Sequence, residues 1–255
     1  MGIKISVCGK GGSGKSTLVS LLANAAQARG LATLVVDSDE SNSGLFRMLG
    51  FDQPPIPLMA LVGGREGIKE KMNRPSILSE ADITLEQIPS GYFNEKNGLK
   101  LISIGKIHQA LEGCACPMGV LSREFLKKLR LGPNELAIVD MEAGVEHFGR
   151  GIDNSLDAVL VVVEPSFESI ALAEKIKDLA SGIKKDFWAV LNKISSESLM
   201  AEIKMKLKKR GMETIGVISY DASVFLSGLK GDTLSQGRAT RQAGEILEAL
   251  LAAKT

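Results

Sequence analysis

Short runs of consecutive apolar residues recur along the chain, and longer segments of helical character separate most of them. Continuous apolar runs are typical of strands buried on both faces of a parallel sheet, since a half-exposed strand alternates apolar and polar residues. The pattern predicts strands at residues 3–8, 32–36, 99–104, 136–139, 158–163, 188–191 and 214–218. It predicts helices at residues 17–29, 120–130, 168–180, 198–210 and 239–252.

This alternation predicts an α/β fold, a doubly wound and mainly parallel sheet flanked by helices. We expect a single domain over residues 1–255, because no low-complexity linker or internal repeat divides the chain. The proline-rich segment at residues 51–97 carries no long apolar run. We predict that it is a helical or irregular insertion between the second and third strands.

The composition narrows the functional class. The chain has 31 Lys and Arg against 30 Asp and Glu, a formal charge of +1, which argues against a surface that coats nucleic acid. No apolar run approaches the roughly 18–20 residues that span a bilayer, so we expect no membrane partner. Three cysteines do not make a disulfide framework, and the first residues do not form a signal peptide. We therefore expect a cytoplasmic protein.

A glycine-rich segment at residues 9–17 joins the first predicted strand to the first predicted helix and fits the pattern G-x-x-x-x-G-K-[ST]. Its glycines let successive backbone N–H groups face phosphate oxygens, and the following helix points its positive end at the same anion. Lys15 is expected to reach the β- and γ-phosphates, and the Ser16 hydroxyl to ligate Mg²⁺. The residues of this loop predicted to bind ATP are Gly11, Gly12, Ser13, Gly14, Lys15, Ser16 and Thr17.

Carboxylates follow two predicted strands, where open α/β sheets bind ligands. Asp37 and Asp39 belong to residues 37–40, here called the first switch. Asp140 ends another apolar run and opens a D-x-x-x-G pattern at residues 140–144, here called the second switch. That pattern predicts that Asp140 holds Mg²⁺.

An additional lysine makes the phosphate loop more specific. With Lys10 included, residues 10–16 resemble the deviant phosphate loop of the MinD/ParA-type and nitrogenase-iron-protein-like ATPases. The resemblance implies a homodimer in which Lys10 crosses the interface to the nucleotide of the partner, with Lys10, Lys15 and Asp39 as the catalytic residues. It implies that Asp39 orients or deprotonates the attacking water and that Asp37 supports the Mg²⁺ shell.

The same resemblance assigns the base-binding residues. Asn192 matches the residue that hydrogen-bonds adenine, and Tyr220 belongs to a segment beside the base. Ser219 replaces the proline that is usual there, and Glu40 stands where many relatives have proline.

Two cysteines lie in a short C-x-C loop at residues 113–119, where Cys114 and Cys116 can turn both sulfurs toward one point. A soft metal site usually takes four ligands, and a two-fold axis would supply the second pair. We predict one metal bound by Cys114 and Cys116 of both subunits, with two inert thiols or a local disulfide as the alternatives. Thiolate tetrahedra suit zinc, so ligand chemistry alone does not select nickel.

The C-x-C loop together with residues 140–151, DMEAGVEHFGRG, resembles the nickel-insertion accessory ATPases of carbon monoxide dehydrogenase and their relatives that serve acetyl-CoA synthase. The resemblance extends over essentially the whole chain. It implies an ATP-hydrolysing nickel metallochaperone with ATP or ADP, Mg²⁺ and Ni²⁺ as ligands, Zn²⁺ being possible in the nickel site. Its partners would be a second copy and a client nickel enzyme. For His147, which follows the second switch, we expect an ordinary packed or hydrogen-bonded histidine, with transmission of nucleotide state to the metal loop or transient metal ligation as the alternatives.

Two other functions stay open at this point. Partition or septum-positioning ATPases use a basic DNA-binding face or a C-terminal membrane helix. Here the C-terminal segment carries both acids and bases and no aromatic anchor, and the basic residues at 204–210 are expected to form a solvated helix face. Iron–sulfur reductases of this class place their two cysteine ligands far apart in sequence, whereas this chain has an adjacent pair.

Overall fold

A computed structural model describes residues 2–40, 44–64, 80–106, 116–234 and 237–254 of the chain. Its strands form one eight-stranded sheet with the order β3-β4-β2-β5-β1-β6-β7-β8. The strands are β1 (Ile3–Gly9), β2 (Ala32–Asp37), β3 (Asn94–Lys96), β4 (Leu99–Ser103), β5 (Glu135–Asp140), β6 (Ala158–Val163), β7 (Asp186–Ile194) and β8 (Thr214–Ser219).

Helices connect the strands and cover both faces of the sheet. The α-helices are α1 (Lys15–Ala28), α2 (Leu45–Met48), α3 (Cys116–Lys128), α4 (Glu146–Gly149), α5 (Phe167–Gly182), α6 (Glu197–Lys209), α7 (Ala222–Lys230) and α8 (Arg238–Ala253). Short 3₁₀ turns lie at Leu58–Val62, Leu85–Gln87 and Asp153–Ser155. The predicted mainly parallel sheet flanked by helices is confirmed.

Alternate residues of the central strands feed two separate cores, because successive side chains of a strand point to opposite faces. One core takes Leu34 and Val36 of β2 together with residues of α3, α5 and α6. The other takes Val35 of β2 together with residues of α1 and α8. The strands are therefore covered on both faces, which explains why they read as unbroken apolar runs.

The exception to the parallel arrangement lies at one edge of the sheet. Strand β3 pairs antiparallel with β4, and the two are joined by Asn97 and Gly98, which both have positive φ, 51° and 78°. Asn-Gly at these two positions is a typical signal for a tight hairpin. The prediction of only helical or irregular structure over residues 51–97 was therefore wrong at its end. Residues 65–79 of that segment lie outside the described part of the chain.

The C-terminal helix packs against the domain. Residues Ile246, Leu247 and Leu250 of α8 are buried in the core that also contains α1. Its apolar face is thus already covered by protein. Within the described ranges, no helix combines the length and the apolar character needed to cross a bilayer.

Candidate functional site

The phosphate loop lies at the C-terminal end of β1, between the strand and helix α1. Gly12 and Gly14 have positive φ, 77° and 98°, a region that L side chains rarely adopt. A Cβ at Gly14 would also collide with the side-chain amide of Asn192, whereas a Cβ at Gly12 would meet nothing within 4 Å. Helix α1 begins at Lys15, so its N-terminal N–H groups and positive end face the loop. The loop therefore has the geometry of an anion cradle.

Two oxygen-bearing side chains meet behind the loop. The Ser16 hydroxyl donates a 2.6 Å hydrogen bond to Oδ2 of Asp140. The other oxygen of Asp140, Oδ1, is buried and has no hydrogen-bond partner among the described residues. Burial raises the pKa of Asp140 to about 7, although the bond from Ser16 opposes the shift. A buried carboxylate with a free oxygen beside a hydroxyl fits Mg²⁺, which prefers oxygen ligands and would supply the missing positive charge.

Asp37 lies beside Asp140 because β2 and β5 are neighbours and pair these two residues in register. Its carboxylate is held by Lys106, whose Nζ lies 2.7 Å from Oδ1 and from Oδ2. Burial raises the pKa of Asp37 to about 6, and the lysine ammonium limits the rise. Lys106 also donates to the backbone carbonyl of Asp39. The predicted role of Asp37 at the metal thus stays a prediction, since its charge is compensated by a lysine.

Arg150 connects the two switches. Its Nη1 lies 2.9 Å from Oε2 of Glu142 in the second switch and 3.5 Å from Oε1 of Glu40 in the first. Glu40 therefore takes part in an ion-pair contact that connects the two switches through Arg150. A proline at this position could not form that contact. Asp39 beside it is buried, with 5% of its surface exposed. The water-positioning role assigned to Asp39 stays a prediction.

A cavity of about 480 Å³ opens beside the phosphate loop. Its lining includes Asn192 and Tyr220, the two residues predicted to contact the base, together with Phe225 and Leu229 of α7. Asn192 is nearly buried and donates a 2.8 Å hydrogen bond from Nδ2 to the carbonyl of Ser13. A mostly apolar pocket with a few polar groups, adjacent to the anion cradle, fits a nucleoside.

The residue that departs from the resemblance, Ser219, takes part in packing instead. Its backbone N–H donates a 2.9 Å hydrogen bond to Oε1 of Gln242, and its hydroxyl accepts one of 3.0 Å from Gln242 Nε2. Proline has no N–H and would lose the first of these bonds. The substitution therefore ties β8 to helix α8 beside the base pocket.

Lys10 lies at the rim of the loop and is partly exposed. Its ammonium lies 3.1 Å from Oε1 of Glu164, and Lys193 Nζ lies 2.8 Å from Oε2 of the same carboxylate. Four residues of the site were not predicted from the sequence: Glu164, Lys193, Lys106 and Arg150. The first three come shortly after apolar runs, a signal present in the sequence, but only the strand order shows which ends are neighbours.

His147 is buried beneath the second switch, with 2% of its surface exposed. Neither ring nitrogen has a hydrogen-bond partner among the described residues, and Oδ2 of Asp153 lies 3.8 Å from Nδ1. Burial lowers the pKa of His147 to about 3, so the ring is neutral near pH 7. It is packed in the protein interior, and transmission of nucleotide state or transient metal ligation by His147 stays a prediction.

The predicted metal loop falls largely outside the description. Cys114 lies outside the described residues, and Cys116 is described only as the first residue of α3, without its side chain. Within the described ranges, no cluster of three or more His, Cys, Asp or Glu residues is arranged to hold a metal ion. Ligation by Cys114 and Cys116 therefore stays a prediction.

Comparisons with known proteins agree with this geometry. The solved structure of the septum site-determining protein MinD from Pyrococcus horikoshii, complexed with Mg-ADP, superimposes with a TM-score of 0.74 at 16% identity. That match covers 100% of this chain and 98% of the other. MinD from Pyrococcus furiosus gives a TM-score of 0.71 at 18% identity over 99% and 100% of the two chains. At these identities the likeness shows the fold alone.

Two sequence relatives are more similar. An uncharacterized ATP-binding protein of Methanocaldococcus jannaschii is 41% identical over 237 residues, which are 91% of this chain and 94% of that relative. The carbon monoxide dehydrogenase accessory protein CooC of Rhodospirillum rubrum is 30% identical over 230 residues, 87% of this chain and 85% of that protein. The model of the CobQ/CobB/MinD/ParA nucleotide-binding domain matches residues 5–234. The chain therefore belongs to the MinD/ParA-type family of P-loop ATPases.

Proposed function

We propose that this protein is a Mg²⁺-dependent ATPase that acts as a nucleotide-dependent homodimer and carries nickel for the maturation of carbon monoxide dehydrogenase or acetyl-CoA synthase. Support comes from the 30% identity to a carbon monoxide dehydrogenase accessory protein over 87% of the chain. The C-x-C pair, Cys114 and Cys116, adds a soft ligand set of the kind that binds nickel or zinc.

For hydrolysis, each residue has a role that its position supports. Lys15 and the loop N–H groups hold the phosphates, and Ser16 and Asp140 hold the metal. Asp39 orients the attacking water, and Lys10 of one subunit reaches the phosphates bound to the other. Asn192 and Tyr220 contact the base. A cation brought to a transferring phosphoryl group accelerates the reaction by about 10³–10⁵ in other NTPases, so turnover should be much faster in the dimer than in the monomer.

The observation that carries the chaperone role is the contact between both switches and α3, the helix that begins at Cys116. The hydroxyls of Ser38 in the first switch and Ser122 in α3 are 3.0 Å apart. The side chain of Arg150, which pairs with both switches, packs so closely on Gly119 that a Cβ there would collide with Arg150 Cδ. Any rearrangement of the switches on nucleotide exchange therefore acts directly on the first turns of α3.

A second contact with the first switch lies on the N-terminal side of the cysteine loop. Lys106, the last described residue before that loop, is held by Asp37 and by the carbonyl of Asp39. Residues on both flanks of the C-x-C pair thus contact the first switch. We infer that nucleotide state and metal affinity are coupled through these contacts.

The test is a titration with Ni²⁺, and separately with Zn²⁺, of anaerobic protein containing ADP, or containing ATP in the Asp39→Ala variant. We expect one metal per dimer, with an affinity that depends on the nucleotide. Cys114→Ser and Cys116→Ser should each halve the sulfur ligands and strongly weaken binding. Cys8→Ala is the matched control, since Cys8 is fully buried and its thiol donates to the Leu160 carbonyl.

Three results would contradict the proposal. They are two metals per dimer, metal affinity unaffected by the loop cysteines, and metal affinity independent of nucleotide. Anaerobic absorption spectra separate the candidate metals, because Ni²⁺–thiolate has charge-transfer bands, zinc is silent and an iron–sulfur cluster is brown. A brown protein would favour the reductase function instead.

A further inference from the structure

Three neighbouring strands carry a charged residue at or just beyond their C-terminal ends, at the rim of the phosphate loop. Strand β1 pairs with β6 so that Gly9 lies opposite Val162, and β6 pairs with β7 so that Val163 lies opposite Leu191. Lys10 and Glu164 directly follow β1 and β6, and Lys193 is the penultimate residue of β7, so the order of the strands brings the three together.

Glu164 is the centre of this group. Lys10 Nζ lies 3.1 Å from its Oε1, and Lys193 Nζ lies 2.8 Å from its Oε2. The side chain of Glu164 is 16% exposed, whereas those of Lys10 and Lys193 are 38% and 44% exposed. Burial acts to raise the pKa of Glu164, but the hydrogen bonds from Lys193 and Lys10 keep it below its ordinary value. The carboxylate is therefore ionised and holds both ammonium groups near pH 7.

We propose that Glu164 holds Lys10 within its own subunit and thereby opposes the contact of Lys10 with a nucleotide bound to a second copy. The inference rests on the dimer of the proposed function. The Lys10 ammonium cannot contact Glu164 and the partner's phosphates at the same time. Glu164 lies in the same subunit as Lys10, whereas those phosphates lie in the other subunit. Glu164 is a positioning residue, because it acts on the nucleotide only through Lys10.

Lys193 makes the exchange reversible. When Lys10 leaves, Glu164 keeps its 2.8 Å pair with Lys193, so no buried carboxylate is left without a counter-charge. Lys193 also donates a 2.6 Å hydrogen bond to the carbonyl of Gly12, which keeps the phosphate loop connected to β7. The exchange thus changes the position of one lysine side chain and leaves the loop in place.

The experiment measures the concentration of half-dimerisation by sedimentation, with ATP and Mg²⁺, in the hydrolysis-deficient Asp39→Ala protein. Adding Glu164→Gln should lower that concentration. A partly exposed ion pair is worth a factor of about 1.4 to 5, and forming the dimer breaks one in each subunit. The expected shift is therefore about 2- to 30-fold, and it should shrink at high salt because screening weakens the wild-type pair.

Glu168→Gln is the matched control. It removes the same charge, but at an exposed position at the start of α5, four residues after Glu164. It should shift dimerisation little. The deciding variant is Lys10→Ala, in which Glu164→Gln should have no effect, whereas a general structural effect of Glu164 would persist. Circular dichroism and the melting temperature show whether each variant is folded.

The outcomes separate the inference from the function on which it rests. Dimerisation by ATP that is unchanged or weakened by Glu164→Gln overturns the role of Glu164 and leaves the dimer intact. The same strengthening in the presence and absence of Lys10 also overturns it. If ATP dimerises neither the Asp39→Ala protein nor the same protein with Glu164→Gln, the homodimer of the proposed function fails together with the inference.

Discussion

At the residue scale, two of the buried aspartates of the site, Asp140 and Asp39, have different assigned roles. Asp140 lies against Ser16 at the metal position, and Asp39 lies in the first switch. We predict that Asp140→Asn weakens Mg²⁺-dependent ATP binding, because it removes the anionic ligand. Asp39→Ala should leave Mg²⁺-ATP binding largely intact and reduce hydrolysis by about 10²–10⁴-fold. Equilibrium binding of a fluorescent ATP analogue and phosphate release measure the two effects.

Each of the two variants is the control for the other, since both remove a buried carboxylate from the same site but are expected to affect different steps. Lys15→Ala should abolish productive phosphate binding and serves as the reference for complete loss. Hydrolysis by Asp39→Ala at the wild-type rate would show that another residue orients the water.

His147 yields a prediction about pH. Its pKa is depressed to about 3 in the folded protein, whereas the unfolded chain has the ordinary value of 6.5. Its contribution to stability is therefore present above pH 6.5 and is lost as pH falls from 6.5 toward 3. His147→Leu removes this loss. The free energy of unfolding of the variant should therefore rise relative to that of wild type by up to about 1.4 kcal/mol for each pH unit below 6.5. Urea unfolding at pH 7.5, 6.5 and 5.5 measures the difference.

The comparison with wild type is necessary because Asp153 titrates in the opposite sense. Burial raises its pKa to about 7, so its contribution is present below its ordinary pKa and is lost as pH rises through 7. In the difference between the two proteins this contribution cancels to first order. A difference that is the same at all three pH values would mean that His147 has the same pKa in the folded and the unfolded chain.

At the element scale, β8 and α8 approach closely at one glycine. A Cβ at Gly216 would overlap the side chain of Ile246, lying 3.0 Å from its Cδ1 and closer still to its Cγ1. Gly216→Ala should therefore destabilise the fold by about 1–3 kcal/mol through overpacking. In the Ile246→Ala background the same change should cost less, because the colliding atoms are gone. Denaturant unfolding of the four proteins gives the coupling energy directly.

A second glycine provides the control. Gly228 lies within α7, is exposed, and a Cβ there would meet nothing within 4 Å. Gly228→Ala should stabilise the protein by about 0.5–1 kcal/mol, since alanine loses less backbone entropy in a helix. Equal destabilisation by both alanine variants would show that the contact with Ile246 is not the cause.

At the scale of the whole molecule, we predict that ATP and metal favour the same two-fold dimer. In the proposed dimer, each subunit's Lys10 would complete the other's nucleotide site, and the cysteine loops would share one metal. By thermodynamic linkage, the factor by which nucleotide changes metal affinity equals the factor by which metal changes nucleotide affinity. Couplings of this kind are typically about 5- to 150-fold. Light scattering of Asp39→Ala with and without ATP, Mg²⁺ and Ni²⁺ measures the assembly.

The nucleotide-free and metal-free protein is the control for this assembly and should be the least associated form. A monomer under all four conditions at the highest accessible concentration would contradict the prediction. Association driven by metal alone, and insensitive to ATP, would separate the cysteine interface from the nucleotide interface.

The sequence alone was sufficient for features that are local. The phosphate loop is contiguous, so its spacing and its place between an apolar run and a helix specify the anion cradle at residues 9–17. The buried strands were predicted because parallel strands covered on both faces need unbroken apolar runs. The Asn97–Gly98 hairpin also carried a local signal, which the three-residue length of β3 made easy to miss.

Only the tertiary structure decided which residues from distant segments meet. Lys106 pairs with Asp37, 69 residues away, because β4 lies beside β2, and Glu164 holds Lys10, 154 residues away, because β6 lies beside β1. Many strand orders satisfy the same apolar pattern, since burial on both faces constrains each strand but not its neighbours. The phosphate loop could therefore be predicted from adjacent residues. The side chains that form ion pairs with Lys10 and Asp37 are determined by the packing of the whole sheet.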